Sequence, residues 1–236
     1  MRDIIYVAGH GKLAKIIHTD LQRIARNHHL DIENVINWDL RPADNEDTSR
    51  ILCIHAGSGK QYQEMLSFCQ NNNTPLFQCA TGITYPEELF LNIPFIFVDA
   101  PNFSIMIVKF LYMLEELGLL FHEYDISITE SHQTAKTSLP GTAREMAKSL
   151  GVDPRQIKSI RDKETQRDQS EIPQQHIEQH ALHMIDIGSE ECKISFKTQI
   201  YGLNTYLVGI VKLLQNIDKL SPGKYSLPDL VRKRII

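Results

Sequence analysis

A histidine and a lysine stand four apart, His132 and Lys136, within the stretch ESHQTAKTSLPGTA at residues 130–143. An imidazole gives or takes a proton near neutrality, and the lysine adds a positive charge and a second proton donor. Gly141 and Thr142 then open an amphipathic run to Leu150. The first free N–H groups and positive dipole end of such a helix suit a carboxylate or an oxyanion. Together these residues describe a proton-transfer site for an anion. The plainer reading is a strand, a polar loop and a capped helix, with both side chains in water.

Other segments must position such a site. The apolar run 4–8 ends in Gly9-His10-Gly11-Lys12-Leu13-Ala14, and Leu13, Ile16, Ile17, Leu21 and Ile24 continue at helical spacing. This is the strand, glycine turn and helix of a dinucleotide site. The first glycine allows the bend, the second lets backbone approach a pyrophosphate, and the small third residue lets helix and strand pack. Lys12 and Lys15 add charge suited to phosphate, although an ordinary strand-to-helix turn has the same outline. Two further loops follow short apolar runs, where strands of a parallel sheet would end: Cys79-Ala80-Thr81-Gly82, and Ala100-Pro101-Asn102-Phe103-Ser104. Asp39, after the second predicted strand, is the acidic candidate for a ribose hydroxyl or simply a surface aspartate. Gly57-Ser58-Gly59-Lys60 lacks the upstream glycine of a phosphate loop and reads as another loop at the cofactor edge.

Short apolar runs alternate with helical patterns through the first hundred residues, predicting a parallel sheet with helices on both faces. From residue 125 apolar and polar residues alternate, as in antiparallel or mixed strands with one exposed face. The charged stretch 161–171 reads as an exposed loop. His176, His180 and His183 have a metal-like spacing, but strand alternation from 181 to 187 would put His180 and His183 on opposite faces, so no metal is expected. The four cysteines form no CxxC pair and read as reduced thiols. A net charge of −4 with scattered basic residues argues against nucleic acid as a partner. The longest apolar stretch, 105–120, is interrupted by Lys109, Glu115 and Glu116, so no membrane partner is expected either. With no cleavable leader pattern after Met1, a cytoplasmic location is expected.

Taken together, residues 130–143 resemble the ESHQxxKxDTSGTA signature of the dihydrodipicolinate reductase family, matching at Glu130, Ser131, His132, Gln133, Lys136, Gly141, Thr142 and Ala143. The loops at 79–82 and 100–104 resemble that family's GTTG-like and APNFS loops in the same order. The resemblance continues through Ser159-Ile160-Arg161, through His180 to His183, and through Gly202 and Thr205-Tyr206. It implies an α/β protein with a Rossmann-like parallel-sheet cofactor domain, residues 1–104 and 205–236. A smaller α+β domain for substrate and oligomerisation, residues 105–204, completes it. It further implies NADH or NADPH as cofactor, a cyclic imino dicarboxylate as substrate and a homotetramer. His132 would be the acid/base and Lys136 the proton donor. Gln133, Gly141 and Thr142 would hold a substrate carboxylate, while Gly9, Gly11, Lys12, Leu13, Asp39, Cys79, Ala80, Thr81, Ala100, Pro101, Asn102 and Phe103 would line the dinucleotide.

The chain departs from the family pattern at Ser138, where an Asp is usual, at Pro140, where a Ser precedes the Gly-Thr, and at Leu203-Asn204, where a substrate-binding Arg is common. Leucine cannot replace a bidentate guanidinium, and proline removes a hydroxyl and an N–H donor. Two other readings stay open: a related dehydrogenase acting on another small oxo or imino acid, and a dinucleotide-binding sensor without turnover.

Overall fold

The computed structural model describes residues 3–42, 50–57, 59, 61–80, 83, 87–136 and 140–236. Thr81, Gly82, Ser58, Lys60 and Ser138 lie outside the described residues. The chain divides into two compact units, Met1–Val108 with Leu203–Ile236, and Lys109–Gly202.

The first unit is built on strands β1 (Asp3–Ala8), β2 (Ile32–Asn37), β3 (Arg50–His55), β4 (Leu76–Gln78), β5 (Ile96–Asp99) and the tenth strand of the chain, β10 (Gly223–Ser226). They pair in parallel in the order β10-β5-β4-β3-β1-β2. Every residue of β1 is buried, as a central strand covered on both faces requires. Helix α1 (Lys12–Asn27) buries Ala14, Ile17, Leu21 and Ile24 against one face, where α6 (Asn204–Leu214) also packs. On the other face α2 (Tyr62–Asn72) buries Met65, Leu66 and Cys69 with Trp38 and Phe97. Its last turn is stopped by Asn73 in the left-handed conformation.

The sixth strand is an addition to the sequence reading. β10 is only four residues long and carries no alternation that would mark it. The helix after it, α7 (Leu227–Arg232), starts at a capping box in which Ser226 and Asp229 satisfy each other's backbone N–H groups.

Because β2 and β3 lie on opposite sides of β1, the chain reverses its direction across the sheet at β1, which opens a crevice at the carboxyl ends of β1 and β3. Gly9 lies there with φ +125°, and a Cβ on it would stand 2.5 Å from Ala56 O and 2.8 Å from Gly57 Cα. Gly9→Ala is therefore expected to destabilise the protein by about 2 kcal/mol through backbone strain and crowding. Denaturant unfolding of the two proteins checks it, and equal midpoints would show that the turn tolerates a side chain.

Helix α3 (Ile105–Leu117) follows β5, and the second unit carries β6 (Ile126–His132), β7 (Lys158–Ile160), β8 (His180–Gly188) and β9 (Lys193–Tyr201) in the order β7-β6-β8-β9. β6 and β7 are parallel, and the other two pairs are antiparallel. Helix α4 (Gly141–Ser149) buries Ala143, Met146 and Ala147 against Ile128, Ile185 and Ile187. The segment 161–171, expected as a loop, instead holds helix α5 (Lys163–Asp168). The Asp162 side chain accepts from Thr165 N–H and caps it, and Gln166 is buried. β6 extends through Glu130, Ser131 and His132, so these three residues belong to the strand. Among the described residues no helix is long and apolar enough to cross a membrane.

Candidate active site

At the carboxyl edge of the first sheet, Ala56, Cys79 and Ala100 each donate a backbone N–H, at 2.8 Å, to the last residue of the neighbouring strand, Ala8, His55 and Gln78. The loops that follow therefore leave the sheet side by side. Gly11 caps α1 without a side-chain bond and is exposed, and a Cβ placed on it would meet nothing within 4 Å. That is open space above a helix N-terminus, the arrangement a pyrophosphate uses. Lys12 and Lys15 are exposed beside it, and Leu13 packs half-buried against the core.

The remaining loop residues divide by exposure. Asp39 is exposed at the end of β2, where Gln61 Nε2 donates to its Oδ1 at 2.6 Å. Pro101 is exposed, Ala80 and Asn102 are half-buried, and Asn102 Oδ1 accepts the Ser104 N–H at 3.0 Å. Cys79, Ala100 and Phe103 are buried in the core, Phe103 against Phe77. At those three positions the side chain points into the core and leaves only backbone for any ligand. Burial drives the Cys79 thiol far up from its usual range, so it stays protonated. Beneath the loops, His55 Nδ1 and Gln78 Oε1 share a buried hydrogen bond of 2.7 Å that sequence reading did not anticipate.

In the second unit strand geometry builds the site. Side chains two apart on a strand share a face, so Ile126, Ile128, Glu130 and His132 of β6 point the same way. The first two join the apolar core under α4, while the next two form a polar cluster. Glu130 is fully buried. Arg161 donates to both its oxygens, Nη2 to Oε1 at 2.6 Å and Nη1 to Oε2 at 3.1 Å, and Ser159 Oγ also donates to Oε1. His132 Nδ1 lies 2.7 Å from Oε2. Burial raises the Glu130 pKa, but the hydrogen bonds from His132, Arg161 and Ser159 outweigh it and hold the carboxyl down to about 2. An ionised carboxylate only accepts, so His132 Nδ1 must be the donor.

The other predicted residues follow His132 directly. Gln166 Nε2 donates to His132 O at 2.7 Å, Lys136 N–H donates to Gln133 O at 2.9 Å, and Arg161 Nε donates to Lys136 O at 2.9 Å. Gln133 and Lys136 are half-buried. α4 begins at Gly141 after a buried Pro140, which provides no side-chain cap; Gly141 is exposed, Thr142 is half-buried, and a Cβ on Gly141 would meet nothing within 4 Å.

Sequence reading missed Ser159, Arg161, His183 and Thr198 as members of this cluster. The usable signal was alternation, which places Ser159 with Arg161 on the face that holds Glu130 and His132. His180 and His183 do lie on opposite faces of β8. His180 Nε2 bonds Ser131 Oγ at 2.9 Å and its Nδ1 donates to Ile177 O, also at 2.9 Å, whereas His183 stands edge-on to His132 with ring centroids 5.6 Å apart.

Residues 107–231 match the family model described as dihydrodipicolinate reductase, C-terminus. The chain is 33% identical over 152 residues to a chloroplastic 4-hydroxy-tetrahydrodipicolinate reductase of Arabidopsis thaliana, covering 58% of this chain and 44% of that protein. It is 32% identical over 123 residues to a probable chloroplastic counterpart in Oryza sativa subsp. japonica, covering 48% and 38%. It thus spans less than half the length of these plant relatives. A 4-hydroxy-tetrahydrodipicolinate reductase from Methanococcoides burtonii is 28% identical over 151 residues, covering 57% of this chain and 53% of that protein. In fold, the chain is similar to a dipicolinate-bound dihydrodipicolinate reductase from Paenisporosarcina, with a TM-score of 0.70 at 17% identity, over 98% of this chain and 100% of that one.

Proposed function

The chain belongs to the dihydrodipicolinate reductase family, and we propose that it uses NADH or NADPH to reduce a cyclic imino dicarboxylate, 4-hydroxy-tetrahydrodipicolinate, in diaminopimelate and lysine biosynthesis. Residues 1–104 and 205–236 would bind the dinucleotide, and residues 105–204 would bind substrate and assemble a homotetramer. The observation that carries this reading is His132 at the end of β6, its Nδ1 engaged by the buried Glu130, four positions before Lys136 and nine before the uncapped start of α4.

The open space at Gly11 and the exposed lysines beside it fit a dinucleotide's phosphates. When bound, the cofactor would supply a hydride to the ring carbon that becomes conjugated with the imine once the 4-hydroxyl has left as water. His132 and Lys136 deliver the proton that the electron shift then demands, and the Lys136 ammonium offsets developing negative charge. Gln133, Thr142 and the Gly141 N–H hold a carboxylate of the ring. The test is oxidation of NADH and of NADPH, followed by absorbance, with substrate made in place by the preceding synthase. Turnover with neither cofactor would reject the reading.

Gly11→Val is expected to weaken dinucleotide binding at least tenfold in calorimetry while leaving the fold intact, because its isopropyl group fills the space a pyrophosphate needs. Unchanged affinity would remove the phosphates from this turn. Leu203 favours a second reading, a related dehydrogenase acting on another small oxo or imino acid. It lies at the N-cap of α6, where the family commonly has a substrate-binding arginine. Turnover of such an acid in preference to the dicarboxylate, measured in the same assay, would establish that reading.

A further inference from the structure

The sheet of the second unit carries a polar row whose purpose the reaction alone does not explain. Ser159 of β7 is in register with Glu130 of β6, Glu130 with His183 of β8, and His183 with Thr198 of β9. Registered neighbours share a face, so one polar side chain from each of the four strands lies on a single line. The next row toward α4 is Ile128, Ile185 and Phe196, which belong to the apolar core. The polar row's two central members, Glu130 and His183, are buried, and a buried polar group is unfavourable unless it is satisfied.

We infer that this row, with Arg161, is a positioning device: Glu130 holds the His132 ring with Nδ1–H bound and presents Nε2 as its one atom for proton exchange. This rests on the reading of His132 as the acid/base. A carboxylate offers about four lone-pair sites, and in Glu130 all four are used: Arg161 and Ser159 on Oε1, Arg161 and His132 on Oε2. The carboxylate therefore has one orientation, and so does the imidazole bonded to it. Gln166 secures the same residue through its carbonyl.

His183 completes the device from β8. It is buried, its Nδ1 bonds Thr198 Oγ1 at 3.0 Å, and its Nε2 has no hydrogen-bond partner among the described residues. The ionisable groups around His132 are Glu130 on its own strand, Lys136 in the following turn, Arg161 after β7, and His180 and His183 on β8. Burial, with the nearby His132, pulls the His183 pKa down to about 4. His183 therefore stands neutral, edge-on to the His132 ring that faces the Glu130 carboxylate.

Glu130→Gln separates positioning from bulk. The amide must turn its oxygen to the Arg161 guanidinium, which brings its NH2 to His132 Nδ1. A donor there forces the neutral imidazole into the Nε2–H tautomer, the wrong one for accepting a proton at Nε2. We expect nitrogen-15 NMR of histidine-labelled protein, with His132 assigned by its loss in His132→Asn, to show Nδ1–H in the wild type and Nε2–H in Glu130→Gln. We expect kcat to fall by about 100-fold or more with KM changed less than about threefold. Arg161→Lys, which keeps the charge without the fork, should keep the wild-type tautomer. Nε2–H in the wild type overturns the inference even if Glu130→Gln fails to fold, as does a tautomer change without a loss of kcat, or the reverse. The tautomer is read without substrate, so a correct tautomer in a protein with no reductase activity would reject the proposed reaction and leave the positioning standing.

Discussion

Replacing His132 with alanine is expected to lower kcat by about 100-fold to 10,000-fold, the range spanned by a well-placed acid or base, with dinucleotide affinity unchanged. Lys136→Ala should cost about 100-fold by removing both a proton donor and a positive charge. The two losses should combine less than additively, because both residues serve one proton delivery. The affinity should hold because the residues proposed for the dinucleotide belong to the other unit. Structural damage should be limited as well: His132 is the last residue of β6, and Lys136 is tied to its neighbours through backbone atoms that alanine retains. Steady-state kinetics with both cofactors, alongside calorimetry for the cofactor alone, gives the result. Wild-type turnover in both variants would reassign the chemistry to other residues.

The pair itself was legible because both residues lie in one short segment, where spacing alone declares them. The turn at residues 9–14 was legible for the same reason, since the glycine held at φ +125° and the one facing open space fall within one short segment. The polar row was not. Ser159, Glu130, His183 and Thr198 come from four strands up to 68 positions apart, and only the register joins them. Segment 161–171 was misjudged because its charges dominate its composition. The Asp162 cap and buried Gln166 make it a short helix, and the fork of Arg161 is consumed by a carboxylate invisible from its own neighbourhood. β10 was missed because four residues at a sheet edge carry no period to read. Phe103 shows the converse limit: a motif aligned it with cofactor-lining positions, while its side chain lies fully in the core.

Acid should weaken the second unit in two separable steps. His183 is only 2% exposed, and its pKa falls from 6.5 to about 4 through burial first and the neighbouring His132 second. Between those values the unfolded chain binds a proton that the folded chain refuses. Stability is therefore full above pH 6.5 and declines as the pH falls toward 4, by on the order of 3 kcal/mol from this group alone. Glu130 acts lower. Its folded pKa of about 2 lies below the ordinary 4.5, so its contribution is present above pH 4.5 and is lost only as the pH drops through the interval beneath. His183→Leu removes the titrating ring while filling most of its volume. It should be less stable than wild type at pH 7.5, where the Thr198 hydrogen bond is lost, yet the difference should shrink or reverse by pH 4.5. Urea unfolding at half-unit steps between those limits measures this as a pH slope smaller by one proton. An unaltered slope would mean that His183 titrates normally in the folded protein, and the wild type would then owe its acid sensitivity to His18, His55 and His180, whose pKa values burial also lowers.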